Sequence, residues 1–234
     1  MIGLIVNNDK RGRIALSFDD DFVDRWFEAH NMLKQYNWRA TFFVCKFRML
    51  SGEEIEKLKI MEAYGHEIAA HTSKHLYASE YVEKHGMEAY LKYEIDESVE
   101  LMAKAGFNPT SFAYPYGSRS PGLTEELLKK FKVVRSTDNK HVEPALLKCV
   151  NHDDGNHVFG MGIDANYGAS MEYIKSILDY VSQEDKTVAL YAHKPVETVG
   201  VGGFIQTEYK RLIELCEYVN SINLEFVTMT ELYK

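Results

Sequence analysis

Short apolar runs alternate along the chain with stretches whose apolar positions recur every three to four residues. The run RIALSF (13–18) reads as a buried strand. The segment after it gathers Phe22, Trp26, Phe27, Ala29, Leu33 and Tyr36 on one broad face, which predicts an amphipathic helix. ATFFV (40–44) is a second strand. SGEEIEKLKIMEAYG then opens with Ser51 and Glu54 at capping-box spacing and closes on Gly65, a helix C-cap. HEIAAH (66–71) is a third strand, 86–106 one long helix, SFAYP (111–115) a fourth strand and 124–131 a short helix. KVVRS (132–136) and ALLKCV (145–150) read as further strands. They are followed by a helix over 170–183, the strand TVALYAH (187–193), a helix over 207–221 and the strand EFVTM (225–229).

About seven repeats of strand then helix predict a distorted (β/α) barrel of parallel strands. Without a low-complexity run, repeat or Pro/Gly-rich linker, residues 1–234 read as a single domain. A composition 45% hydrophobic and 26% charged is that of a globular protein, and a net charge of −8 argues against a nucleic-acid partner. No apolar run reaches the length of a membrane span. The N-terminus lacks the pattern of a signal peptide, so the chain is expected in the cytoplasm, or outside the cell if a signal has been removed. Cys45, Cys149 and Cys216 are too scattered for a disulfide framework and are expected as buried thiols.

In such barrels chemistry collects at the C-terminal ends of the strands. Asp19, Asp20 and Asp21 follow the first strand, His71 and His75 the third, Pro115–Gly117 the fourth, Arg135 and Asp138 the fifth, and His193 ends the strand that begins at 187. Each has a plainer reading. An aspartate run before a helix is a cap, a histidine ending an apolar strand belongs to the core, and YPYG is a turn. Together they differ: two imidazoles and a carboxylate can hold a divalent metal, a second carboxylate can take a proton and a further histidine can give one.

These residues stand in an order that resembles the polysaccharide deacetylase family (carbohydrate esterase family 4, the NodB-homology domain). SFDDD (17–21) stands for its T-F-D-D-G, HTSKH (71–75) matches H-[ST]-x-x-H, AYPYG (113–117) stands for R-x-P-Y-G, and LYAH (190–193) carries the closing histidine. LEFVTMTELY resembles the usual final strand and turn. The resemblance implies a metal-dependent hydrolase that removes N-acetyl groups from an amino-sugar poly- or oligosaccharide. Asp20, His71 and His75 would ligate one divalent ion, usually zinc. Asp19 would be the base, the backbone N–H of Tyr116 an oxyanion donor, and His193 the general acid.

The chain departs from the pattern at three places. Asp21 replaces a glycine, where a helix cap would serve. Ala113 replaces the arginine that orients the base, and the aspartate–tryptophan motif behind the acid has no clean match. Arg135 is expected to supply the missing guanidinium, against a plainer reading as a surface arginine. Asp138 or Asp164 is expected behind His193, with Asp138 nearer the usual place. Tyr114, Tyr116, Tyr167 and Tyr191 are candidates for sugar-stacking walls, at least half of them serving the core instead. Loops 72–86, 136–145 and 151–169 are expected to shape the groove, and NHDDGNH (151–157) reads as an exposed turn more than a second metal site. Two other functions fit the same residues: hydrolysis of a different amide, and a non-catalytic carbohydrate-binding role.

Overall fold

The computed structural model describes residues 12–150 and 155–233. Seven parallel strands follow one another around a closed barrel: β1 (Arg13–Asp20), β2 (Thr41–Val44), β3 (Glu67–Ala70), β4 (Ser111–Ala113), β5 (Val133–Thr137), β6 (His157–Gly162) and β7 (Thr187–Ala192). The circle closes because β7 pairs with β1 over Arg13–Phe18. A two-stranded ribbon, β8 (Lys194–Val196) and β9 (Gln206–Glu208), stands above β7. A last strand, β10 (Glu225–Val227), pairs with Arg13–Ala15 of β1 and leaves Ser17–Asp20 to β2.

Alternation along the strands divides the core in two. Ala15, Phe43, Ala69, Ala113, Val133 and Val158 fill the barrel, and Ile14, Leu16, Phe18, Phe42 and Phe112 face the helices. The three alanines leave the interior narrow, so one bulky Phe43 fills much of it. The outer layer comprises α1 (Val23–Leu33), α2 (Gly52–Tyr64), α3 (Ala78–His85), α4 (Met87–Tyr90), α5 (Glu97–Lys104), α6 (Leu123–Leu128), α7 (Met171–Gln183) and α8 (Tyr209–Ser221). Ser51 and Glu54 form the expected capping box, and Gly65 closes α2 at φ 115°. None of these helices is long and apolar enough to cross a membrane. The three cysteines are buried free thiols.

Two expectations are corrected. Residues 145–150 are not a strand: Pro144 opens a 3-10 turn, and turns follow to Val150 although Leu147, Cys149 and Val150 are buried. The sixth strand is instead β6, whose sequence HVFGMG hides it behind two glycines. Both glycines make room, since a Cβ at Gly160 would lie 3.0 Å from the Arg135 side chain and one at Gly162 2.3 Å from the Tyr167 ring. The helix expected over 86–106 is interrupted, because Leu91–Asp96 wind as a π-turn between α4 and α5. Of the turn NHDDGNH, residues 151–154 lie outside the described residues.

Candidate active site

Asp19, Asp20, His71, His75, Tyr116 and His193 meet around one cleft of about 510 Å³ at the C-terminal ends of the strands. A larger cavity of about 660 Å³ adjoins it at Gly117 but holds none of these six residues. All three loops expected to shape the groove reach the cleft, through His75, Asn139 and Tyr167 among others.

Strand alternation turns Asp19 into the barrel with Ala15 and would turn Asp20 outward with Phe18. Asp20 adopts φ 91°, a conformation rare outside glycine, and its carboxylate approaches the two histidines instead. Its Oδ1 lies 2.9 Å from Nε2 of His75 and 3.6 Å from Nε2 of His71. Burial opposes the charge on Asp20, yet the neighbouring imidazoles of His71 and His75 prevail and hold it well below the usual carboxylate range. The far nitrogens are also engaged. Nδ1–H of His71 donates to the carbonyl of Ala113 at 2.8 Å, and Nδ1 of His75 lies 3.1 Å from the Tyr116 hydroxyl. Such partners fix the ring orientation and, in the neutral tautomer, leave Nε2 as the lone-pair nitrogen. A carboxylate and two imidazoles are donor types that a zinc-like divalent ion takes. Asp19 is 3% exposed, yet its Oδ1 has no hydrogen-bond partner among the described residues, as suits a group facing a cation or a reacting water.

The other oxygen of Asp19 is taken by Arg135, whose Nη2 donates to Oδ2 in a short ion pair. Arg135 is wholly buried, and its guanidinium carbon sits 5.2 Å from the Phe43 ring centre and 4.7 Å from that of Tyr191. Burying a guanidinium is tolerable when it is paired and stacked on aromatic faces. Its origin lies in the register: Arg135 of β5 is the direct partner of Ala113 of β4. Paired positions on parallel strands face the same side, so the cation reaches Asp19 from one strand further round.

His193 is buried opposite. Its Nδ1–H donates to Oδ2 of Asp164 at 2.6 Å, which leaves Nε2 free for the cleft. Asp164 is held in turn by the His193 backbone N–H at 3.2 Å and the Thr207 hydroxyl at 2.6 Å, both on Oδ1. Burial alone would lower the pKa of His193, but the bond to Asp164 and the charges of Asp19, Asp164 and Asp20 raise it. Asp138, preferred from sequence, is not the partner. Its backbone N–H bonds to Gly160, and Asp164, on the turn after β6, does the work expected of it. Trp26 of α1 donates its indole N–H to the His193 carbonyl at 2.7 Å, a support the sequence reading missed because the two lie 167 positions apart.

Other expectations fare differently. Asp21 makes no capping bond, since Phe22 holds the N-cap position of α1, and its carboxylate instead lies 3.4 Å from Nζ of Lys46. Tyr114 and Tyr191 are buried core residues, and Tyr191 also bonds to Asn139. Tyr116 is exposed, at φ 58°, and stacks on Tyr77 at 4.0 Å between ring centres.

The model of the family described as polysaccharide deacetylase matches residues 6–133, more than half of the chain. The chain belongs to this family. Two peptidoglycan-N-acetylglucosamine deacetylases of Bacillus cereus are similar to it. One is 40% identical over 76 residues, 32% of this chain and 34% of the relative; the other is 34% identical over 125 residues, 53% of this chain and 43% of the relative. The chain thus spans less than half the length of either polysaccharide deacetylase. A solved chitin deacetylase from the fungal pathogen Colletotrichum lindemuthianum has the same fold, with a TM-score of 0.60 at 19% identity over 95% of this chain and 88% of that one.

Proposed function

We propose that the chain is a metal-dependent hydrolase that removes N-acetyl groups from an amino-sugar oligo- or polysaccharide. One observation carries the reading: Asp19, held by Arg135, and His193, held by Asp164, face one cleft beside the Asp20 carboxylate and two imidazoles. Asp20, His71 and His75 would hold that ion, zinc being the expected one. When bound it supplies Lewis acidity toward the acetamide carbonyl and toward water.

The chain's own groups account for the protons. Asp19 accepts one from the attacking water at Oδ1, because Oδ2 is occupied by Arg135. The water oxygen bonds to the carbonyl carbon, and charge develops on the carbonyl oxygen, toward which the Tyr116 backbone N–H would donate. The C–N bond then breaks as His193 gives a proton from Nε2 to the departing nitrogen. Acetate and a free amino sugar result. Arg135 holds Asp19 in place through Oδ2, and Asp164 holds the His193 ring and favours its protonated form. Ala113 and the unmatched fourth motif had favoured a non-catalytic role; the contacts of Arg135 with Asp19 and of Asp164 with His193 weigh against it. The polysaccharide deacetylases named above act, by their names, on N-acetylglucosamine of peptidoglycan, which supports an N-acetylated glycan over another amide.

The test is acetate release from a panel of N-acetylglucosamine oligomers and monomers, before chelation, after it, and after zinc is restored. Release that vanishes on chelation and returns with zinc is expected. Undiminished metal content with no acetate from any acetylated sugar would contradict the reading and favour another amide substrate.

A further inference from the structure

Cys45 directly follows β2, two residues beyond Phe43 of the barrel filling. It is fully buried and is absent from the lining of the cleft, so it stands behind the wall that Asp20 and His75 present to substrate. Its backbone N–H donates to the carbonyl of Asp20 at 2.9 Å, which ties the two residues together. One donor atom each from Asp20, Cys45 and His75 all lie within 4.8 Å of one another. In a tetrahedral zinc site neighbouring O, N and S donors stand roughly 3.3–3.6 Å apart, given bonds of about 2.0 Å to O and N and about 2.3 Å to S. The donors would close by as much as about 1.5 Å around an ion, and His71, 3.6 Å from Oδ1 of Asp20, joins them from outside this set. A second observation stands beside it: Asp19, itself nearly fully buried, leaves Oδ1 unpartnered on the cleft that Asp20 and His75 also line.

We propose that Cys45 is a further protein ligand of the ion held by Asp20, His71 and His75, bound through Sγ from the buried side. The proposal rests on the metal-dependent reading above and deepens it. The thiol proton leaves to solvent as the sulfur–metal bond forms, and no oxidant is involved. Because the sulfur comes from beneath, the cleft side of the ion remains for water and substrate, as five-coordinate zinc allows. A soft sulfur donor biases the site toward zinc, cobalt and cadmium and against magnesium and manganese, which prefer oxygen. The cysteine thus sets metal preference where a carboxylate and two imidazoles alone would be more permissive.

Cobalt(II) reports the sulfur directly. Chelated protein titrated with Co²⁺ is expected to develop the near-ultraviolet thiolate-to-cobalt charge-transfer band. The Cys149→Ser/Cys216→Ser double variant, with Cys45 as its sole thiol, keeps the band, so the outcome does not depend on how a Cys45 variant folds. Cys45→Ser loses it, and its preference for Cd²⁺ over Mn²⁺ falls by about tenfold or more. Cobalt bound by the wild type without that band, or with the same spectrum and affinity in Cys45→Ser, overturns the proposal and leaves the Asp20–His71–His75 site standing. Cobalt binding unchanged in His71→Ala overturns the metal site itself and this proposal with it.

Discussion

Asp19 carries the account at the scale of single residues, with one carboxylate oxygen bound by Arg135 and the other open to the cleft. Arg135→Ala would remove the cation and leave a buried carboxylate, so lost activity there would mix misfolding with chemistry. Gly160→Ala separates them. Its new Cβ would stand 3.0 Å from Cδ of Arg135 and 3.1 Å from the Tyr191 ring, displacing the guanidinium without deleting it. We expect kcat to fall about tenfold with KM nearly unchanged, and stability to fall by about 1–3 kcal/mol as in other overpacked cores. Wild-type kcat in a folded Gly160→Ala protein would count against the role of Arg135. Asp164→Asn tests the acid. Burial alone would lower the pKa of His193, and it is chiefly Asp164 that raises it. Removing that charge lowers the pKa, so the protonated acid is lost at lower pH. The alkaline limb of the kcat profile should shift downward, with kcat reduced by roughly 10²-fold or more. An unmoved limb would assign the acid elsewhere. The meeting of Asp19, Asp20, His71, His75 and His193 at one cleft was legible in the sequence because compact motifs place them at strand ends. Arg135 was legible only as a guess, since its role depends on the Ala113–Arg135 register, and Asp164 was underrated because it follows β6, the strand the glycines hid.

Among the elements, the π-turn at Leu91–Asp96 has the clearest functional consequence, since π-turns gather at functional sites. It places Glu94, wholly buried, behind the loop between His71 and His75. The Glu94 carboxylate accepts the Lys74 backbone N–H at 2.8 Å, and its carbonyl accepts that of Ser73 at 2.9 Å. Thr72 and His75 hold positive φ values of 70° and 60°, so the loop needs such anchoring. Glu94→Ala is expected to weaken zinc binding about 10–100-fold, as loss of outer supports does elsewhere. Glu94→Gln should retain most of the affinity, because its amide oxygen still accepts from Lys74. Equal zinc affinity in Glu94→Ala and wild type would refute the anchoring role. Apolar periodicity predicted one continuous helix here because a π-turn adds a residue without breaking an apolar face. Strand β6 was missed for the opposite reason: Gly160 and Gly162 dilute the strand pattern, and both are glycine to admit Arg135 and Tyr167. The segment 145–150 looked like a strand because its apolar residues are buried, and burial does not require a ladder.

Over the whole molecule, barrel closure through the β1–β7 pairing brings the ends of β1 and β7, the loop after β3 and the turn after β4 to one rim. That architecture follows from the repeated strand–helix pattern, so the fold was the most legible part of the sequence. The site is built from groups that would be costly alone. Asp19 and Arg135 are buried as a pair, Asp164 beneath His193, and Asp20 against two imidazoles. Such an arrangement is hard to explain by stability, since buried ion pairs gain little over apolar packing. Hydrolysis of an N-acetyl group is the central claim, and its most direct test is to count both products. Zinc-loaded protein given N-acetylglucosamine oligomers should release acetate and free amine in equal amounts, and Asp19→Asn, with the same zinc content, should slow both by roughly 10²-fold or more. Neither product from the wild type, or an undiminished rate in Asp19→Asn, would contradict the account.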